Sequence, residues 1–190
     1  TGFLPRASDN IRYSLNRTED TWANAQAHPL IDAFWRSKEI DLAAIRTPAW
    51  VVASWSDQGL HTRGTLEAFK AMSSPQKWLD VHGQKKWAHY SRPESQAKRE
   101  ASFGHFLKGR QTPLAAWPAV RIEVRDRHGE AELRDEEEWP IARTVATPFW
   151  LDTDGKLTAQ RPTAGASIAY DAAAGEANFD HRFEQDTELT

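Results

Sequence analysis

The sequence predicts an α/β fold that is followed by an antiparallel β-sandwich. Two predicted strands, the apolar run Ala49–Ser54 and the segment Lys77–Val81, each precede a segment with helical periodicity. Alternating strands and helices are typical of a parallel sheet with helical crossovers. Beyond Pro113 the pattern changes to alternation with period two, which is typical of half-exposed antiparallel strands. We therefore expect an α/β part over residues 1–112 and the beginning of a β-sandwich over residues 113–190.

Helices are predicted around the two strands of the first part from the spacing of apolar residues and from the prolines that bound them. We expect them at a face shared by Leu30, Phe34 and Trp35, at Thr65–Met72, and at Pro93–Gly109 with Phe103, Phe106 and Leu107 facing inward. The segment HGQKKWAHYSR that follows the second strand is predicted to be a loop. Ala49–Ser54 is apolar throughout, so we expect a central strand that is covered on both faces.

Four segments of the second part are predicted to contain strands. In AVRIEVRD, Val120, Ile122 and Val124 alternate with charged residues, and in TPFWLDTDGKLTA an Asp154-Gly155 turn separates two apolar runs. The segments ASIAYD and ANFDHRFE are two further candidates. Together they predict a sheet with one exposed face.

Composition limits the classes of function. The 190 residues carry a net charge of −3, so a nucleic-acid or anionic-membrane partner has no electrostatic support. There is no cysteine, which excludes disulfides, thiolate zinc sites and a cysteine nucleophile, and which fits a cytoplasmic protein. No apolar run approaches the roughly 18 residues of a membrane span. The nine tryptophans and eight phenylalanines suit a packed core and also a site for apolar substrates.

An acid and two histidines follow the predicted parallel strands. Asp57 comes just after the first strand, and His82 and His89 come after the second. The carboxyl ends of parallel strands meet at the sheet edge where ligands bind, so these side chains are candidates for one site. An ionised carboxylate that orients a histidine is the pair that activates a serine nucleophile. Asp57 is equally compatible with an ordinary turn aspartate that bonds its own backbone.

Several motifs, in order, resemble the CocE/NonD family of α/β-hydrolases. They are TPAWVVASWSDQGLHTRGTLEAF, QKWLDVHGQKKWAHY, FGHFLKG, and the succession VRIEVR, EEEWPIART and FWLDTDGKL. The likeness runs from about Pro29 to the end of the chain. It implies that residues 1–112 are the C-terminal part of an α/β-hydrolase domain and that residues 113–190 begin a jelly-roll β-sandwich.

The resemblance also implies roles for particular residues. The acid of the family falls on Asp57, and its histidine turn matches Trp87-Ala88-His89 with two additional residues before it. His82 stands at the strand end, where other α/β-hydrolases place their base, so both histidines remain candidates. Trp55 and Trp87 flank the candidate acid and base and are the tryptophans expected near a substrate pocket.

The nucleophile expected from the resemblance is missing. No serine before Asp57 has the flanking glycines of a G-x-S-x-G elbow, and the partial match Gly165-Ala166-Ser167 lies in the β-rich part, after the acid. We therefore expect a fragment that carries two members of a triad and that needs a preceding segment of the same protein. The expected substrate is a small ester or a peptide, possibly one with an X-Pro bond, without a cofactor or a metal.

A non-catalytic module is the alternative. In that hypothesis, the aromatic-rich β-sandwich and the α/β part bind a ligand or assemble with a partner. The separate hypothesis of a metal held by Asp57, His61 and His82 is weak, because one carboxylate and two scattered histidines are not a ligand pattern.

Overall fold

The computed structural model describes residues 19–127 and 130–189. The described chain forms two compact units, one from residues 19–47 and 71–75, the other from residues 48–70 and from residue 76 onward. The second unit contains all the candidate site residues.

The first unit contains two short helices, each started by an aspartate. Helix α1 spans Thr21–Ala27 and helix α2 spans Ala33–Arg36. The carboxylates of Asp20 and Asp32 accept hydrogen bonds from the first backbone N–H groups of these helices, which have no partner within the helix. The predicted face of Leu30, Phe34 and Trp35 is only partly correct, because Leu30 precedes α2 and is 79% exposed.

A four-stranded sheet organises the second unit. Its strands, in spatial order, are β1 (Ala49–Ser54), β2 (Lys77–His82), β3 (Val120–Arg127) and β4 (Glu130–Glu136). The first three are parallel and β4 is antiparallel to β3. A two-stranded antiparallel hairpin of β5 (Trp150–Leu151) and β6 (Leu157–Thr158) lies later in the chain. As predicted, its turn includes Gly155, whose φ of 71° favours glycine.

Three helices belong to the crossovers between these strands. They are α3 (Thr62–Ala71), α4 (Lys86–Tyr90) and α5 (Pro93–Lys108). The segment predicted as a loop after β2 therefore contains a helix, α4, which carries His89. Phe106 faces inward as predicted and packs on Trp78, but Phe103 and Leu107 are 59% and 75% exposed, so the inward orientation predicted for these two was wrong.

The core lies between this sheet and α3. Alternate residues of the parallel strands point into it, because successive side chains of a strand face opposite sides. Its buried members are Ala53, Phe69, Leu79, Val81, Val120, Ile122 and Ile141. Burial of Val120 and Ile122 confirms the face predicted from the alternation.

The pairing of β3 differs in part from the antiparallel arrangement predicted for its segment. Strand β3 pairs in parallel with β2, with Leu79 opposite Val120, so the described sheet continues past residue 112. Its period-two pattern arises because one face of β3 is buried in the core, with Val120 and Ile122, while the opposite face carries the partly exposed Arg121 and Glu123. On its other side β3 pairs with the antiparallel strand β4. Strand β1 is an outer strand of the described sheet, and Val52 is 36% exposed, so β1 is not covered on both faces.

The late part of the chain has less regular pairing than predicted. Residues 166–171 and 177–184 form no strand, and Asp180 makes only an isolated bridge with Lys156. These short segments find no continuous strand partner among the described residues. A jelly-roll and a domain division at residue 112 therefore stay predictions.

Candidate active site

Asp57 is placed by a tight turn at the carboxyl end of β1. The residues Trp55–Asp57 form a single 3-10 turn, which the Ser54 hydroxyl caps by accepting a hydrogen bond from the Ser56 N–H at 3.1 Å. The carbonyl of Asp57 then accepts from His61 N–H at 2.9 Å, which leads the chain into α3. The Asp57 carboxylate is about one quarter exposed and lies 3.3 Å from the Lys86 ammonium.

His82 is placed by the end of the neighbouring strand. It is the last residue of β2, opposite Ser54 in the parallel register, and only 5% of it is exposed. The Gln84 N–H donates to Nδ1 of His82 at 3.1 Å. Because Nδ1 accepts this bond, the neutral ring has its proton on Nε2.

His89 stacks on His82. The two ring centroids are 3.7 Å apart and the planes differ by 3°, so helix α4 lays one imidazole face to face on the other. Nδ1 of His89 is buried and has no hydrogen-bond partner among the residues that the structure describes. The sequence offered these two histidines as alternatives, and the structure brings them together.

Burial sets the charge state of this histidine pair. Desolvation and then the neighbouring His89 lower the pKa of His82 to about 4, against the opposing effect of Glu123 and Asp80. Burial also lowers the pKa of His89. Both rings are therefore neutral near pH 7, which is the state in which an imidazole accepts a proton.

Hydrogen bonds join the loop that carries Asp57 to the loop that follows His82. The Ser54 hydroxyl donates to the Gln84 carbonyl at 2.5 Å, and the Ser56 hydroxyl donates to the Gly83 carbonyl. The Lys85 ammonium donates to the carbonyl of Ser56 at 3.0 Å. The two loops are thus neighbours at one sheet edge, as the strand order predicts.

The side chains of the predicted acid and base do not contact each other. Within residues 19–127, no hydrogen bond or ion pair joins the Asp57 carboxylate to His82 or His89, and its ionic partner is Lys86. The assignment of Asp57 with one histidine as acid and base therefore stays a prediction.

A cavity of about 570 Å³ opens beside the two histidines. Besides His82 and His89, charged side chains line it: Asp80, Arg92, Glu94, Lys98, Arg121, Glu123, Arg125 and Glu130. Sequence reasoning missed this set. The available signal was the alternation of side chains along β2 and β3. Asp80 and His82 are two residues apart and therefore share a face of the sheet. The same holds for Glu123 and Arg125.

Asp80 is the most constrained acid of this cavity. Its Oδ2 accepts a hydrogen bond from Lys98 Nζ at 2.5 Å and another from Trp50 Nε1 at 2.9 Å. Its side chain is 13% exposed. Both partners fix the carboxylate in position.

The two tryptophans predicted near a pocket lie outside the cavity of the two histidines, and Trp55 lines a different cavity beside β3 and β4. The Trp55 indole N–H donates to the Glu123 carbonyl at 2.8 Å, and its ring packs on Trp139 next to the core. Trp87 is 65% exposed on α4. Neither ring lines the cavity of the two histidines, and their role in substrate binding stays a prediction.

The described residues were also searched for metal-binding groups and for membrane-spanning helices. No group of three or more histidine or carboxylate side chains in residues 19–127 and 130–189 has a spacing that would hold a metal ion. In the same part of the chain, every helix is too short or too polar to span a bilayer.

Comparison with known proteins identifies the relatives of this chain. The model of the X-Pro dipeptidyl-peptidase (S15) family matches residues 4–91. The cocaine esterase of Rhodococcus sp. (strain MB1 Bresler) is 29% identical over 161 residues, which cover 75% of this chain and 26% of that protein.

Solved structures give the same result. Two crystal structures of a CocE/NonD family hydrolase from Staphylococcus aureus are 35% identical, with TM-scores of 0.71 and 0.72, and the match covers 81% of this chain and 28% of theirs. An aminopeptidase from a marine sediment archaeon, Thaumarchaeota archaeon, matches with a TM-score of 0.53 at 18% identity over 84% of this chain and 28% of its own, which supports the fold alone.

The mixed sheet with its crossover helices defines an α/β fold, and the relatives that share it at 35% identity are hydrolases. More specifically, the matches support a CocE/NonD-family hydrolase. The chain spans about a quarter of the length of the relatives it matches, 26% of the cocaine esterase and 28% of the Staphylococcus aureus hydrolase. These matches favour a hydrolase over a non-catalytic module.

Proposed function

We propose that this chain supplies the acid and the base of a serine-hydrolase triad that cleaves carboxylic esters or amides. Asp57 is the acid and His82 is the base, with His89 as the alternative base. The observation that carries the proposal is the parallel pairing of β1 with β2, because it places the Asp57 turn and the end of β2 at His82 side by side. Hydrogen bonds between Ser54, Ser56 and the 83–84 backbone support it further.

The chemistry needs one rearrangement of the side chains. A base in a triad donates Nδ1–H to the carboxylate and uses Nε2 to take the proton of the serine. In this structure Nδ1 of His82 accepts from Gln84, and Asp57 lies against Lys86. The ring of His82 therefore turns and the carboxylate leaves Lys86 when the pair forms.

The nucleophile is proposed to lie outside these 190 residues, since no G-x-S-x-G elbow precedes Asp57 in the sequence. The serine attacks the substrate carbonyl while His82 takes its proton, and Asp57 stabilises the imidazolium that results. The imidazolium then protonates the leaving alcohol or amine. Water, deprotonated by the same histidine, releases the acyl group.

Ester hydrolysis by variants of the intact protein tests the proposal. Asp57→Asn favours the wrong imidazole tautomer and is expected to lower kcat by about 10⁴-fold. Asp154→Asn, at an exposed hairpin turn, is the matched control and keeps the activity. His82→Gln should be nearly inactive while His89→Gln keeps much more turnover, and the reverse order would make His89 the base.

Two results would overturn the proposal. One is wild-type turnover in Asp57→Asn. The other is a mild and equal effect of the two histidine substitutions, because a catalytic base cannot be replaced by glutamine without a large loss.

A further inference from the structure

Arg125 reaches from β3 to both loops of the candidate site. One of its terminal nitrogens, Nη2, donates to the Ser56 hydroxyl at 3.1 Å and also to the Gly83 carbonyl. Its Nε lies 3.4 Å from the Glu123 carboxylate, which pairs with the charge. Ser56 directly precedes Asp57 and is 69 residues from Arg125 in the sequence. Gly83 directly follows His82 and is 42 residues from Arg125.

The backbone beside His82 is shaped for this contact. A Cβ at position 83 would overlap the Arg125 guanidinium and the Glu123 carboxylate, and it would lie 2.6 Å from Nε of Arg125. Only glycine lets the guanidinium lie directly against this stretch of chain. The obstructing atoms are the ends of flexible side chains, so a methyl group at position 83 displaces Arg125 without breaking the backbone.

A guanidinium is well suited to hold two loops together. It is planar, always charged, and presents several donors in fixed directions, whereas an ammonium is a compact charge on a flexible stem. The other bonds between the loops, from Ser54, Ser56 and Lys85, come from the loops themselves. Arg125 adds a support from a third strand of the sheet.

We propose that Arg125 is a positioning residue, which fixes the Asp57 loop against the His82 loop so that the carboxylate and the ring meet in catalysis. The inference rests on the proposed function. Arg125 acts through its hydrogen bonds to Ser56 and Gly83. Since a displacement of about 1 Å in a catalytic group can cost about 10²-fold in rate, losing this support has a measurable effect.

Steady-state ester hydrolysis by the intact protein tests the inference. Arg125→Met is expected to lower kcat by about 10- to 100-fold with KM changed less than about threefold. Arg125→Lys restores part of the loss, and Gly83→Ala reproduces it because it displaces the guanidinium. Arg127→Met is the matched control, since Arg127 is on the same strand and pairs with the exposed Glu130.

A double-variant measurement separates positioning from general stability. If Arg125 acts through the acid and base, Arg125→Met should lower kcat little further in a protein that already carries Asp57→Asn. Both changes then disable the same acid–base pair. Unchanged kcat in Arg125→Met, or the same fold-loss in both backgrounds, would overturn the inference while the acid–base assignment stands. Full activity of Asp57→Asn would overturn both.

Discussion

Acidification of the intact protein tests the burial of His82 at the end of β2. The pKa of His82 is about 4 in the folded state, and the ordinary value is 6.5. Above pH 6.5 the ring is neutral in both the folded and the unfolded chain, so it has no effect on stability. Between pH 6.5 and 4 the unfolded chain takes up the proton first, and the folded state loses stability by about 1.4 kcal/mol per pH unit. The total loss is about 3 kcal/mol once both states are protonated.

Two measurements check this prediction. The Cε1 proton resonance of His82, assigned by its disappearance in His82→Gln, should titrate with a midpoint near pH 4. Urea unfolding of wild type and His82→Gln, compared at pH 7.5 and 4.5, should show a smaller loss of unfolding free energy in the variant. His61→Gln is the control for the loss of a histidine at an exposed position outside the stacked pair. A His82 midpoint near 6.5, or equal pH dependence in wild type and His82→Gln, would refute the burial and stacking described here.

The remaining predictions concern the stacked histidines and the core. His89→Phe keeps an aromatic ring over His82 and removes the neighbouring charge, so the NMR midpoint of His82 should rise; a midpoint that stays or falls would contradict the role of His89. Leu79→Ala should lower the free energy of unfolding in urea by about 2–5 kcal/mol, because Leu79 is fully buried between strands. The exposed Leu107→Ala should change it by less than about 0.5 kcal/mol, and equal effects would show that the core is wrongly placed.

Local patterns predicted the elements whose signal lies within a few residues. The run Ala49–Ser54 and the Asp154-Gly155 turn are found where the sequence places them, since an apolar run and a positive-φ glycine are local properties. Helix α4 has no such signal. It is five residues long, and Lys85 at its start offers no side-chain hydrogen bond to cap it.

Pairing between distant segments was not readable from the sequence. Alternation in β3 reports which side chains are buried, not which strand lies beside them, so the parallel partner β2 was missed. The exposed positions of Phe103 and Leu107 have the same origin, because apolar periodicity predicts a face without showing what covers it.

The candidate site also has some features that local sequence patterns predict and others that they do not. The strand order placed Asp57 and His82 at one sheet edge, and this needed only the two predicted strands. The stacking of His89 on His82 depends on α4, and the reach of Arg125 spans 42 and 69 residues. No local pattern encodes either contact.

Labelling of the intact protein by a serine-directed phosphonate tests the central proposal most directly. If Asp57 and a histidine activate a serine, the reagent should add stoichiometrically to one serine outside residues 1–190, and peptide mapping by mass spectrometry should locate it. The labelling rate should fall by orders of magnitude in Asp57→Asn and stay unchanged in Asp154→Asn. Absence of labelling, or a rate in Asp57→Asn equal to that of wild type, would contradict the proposal.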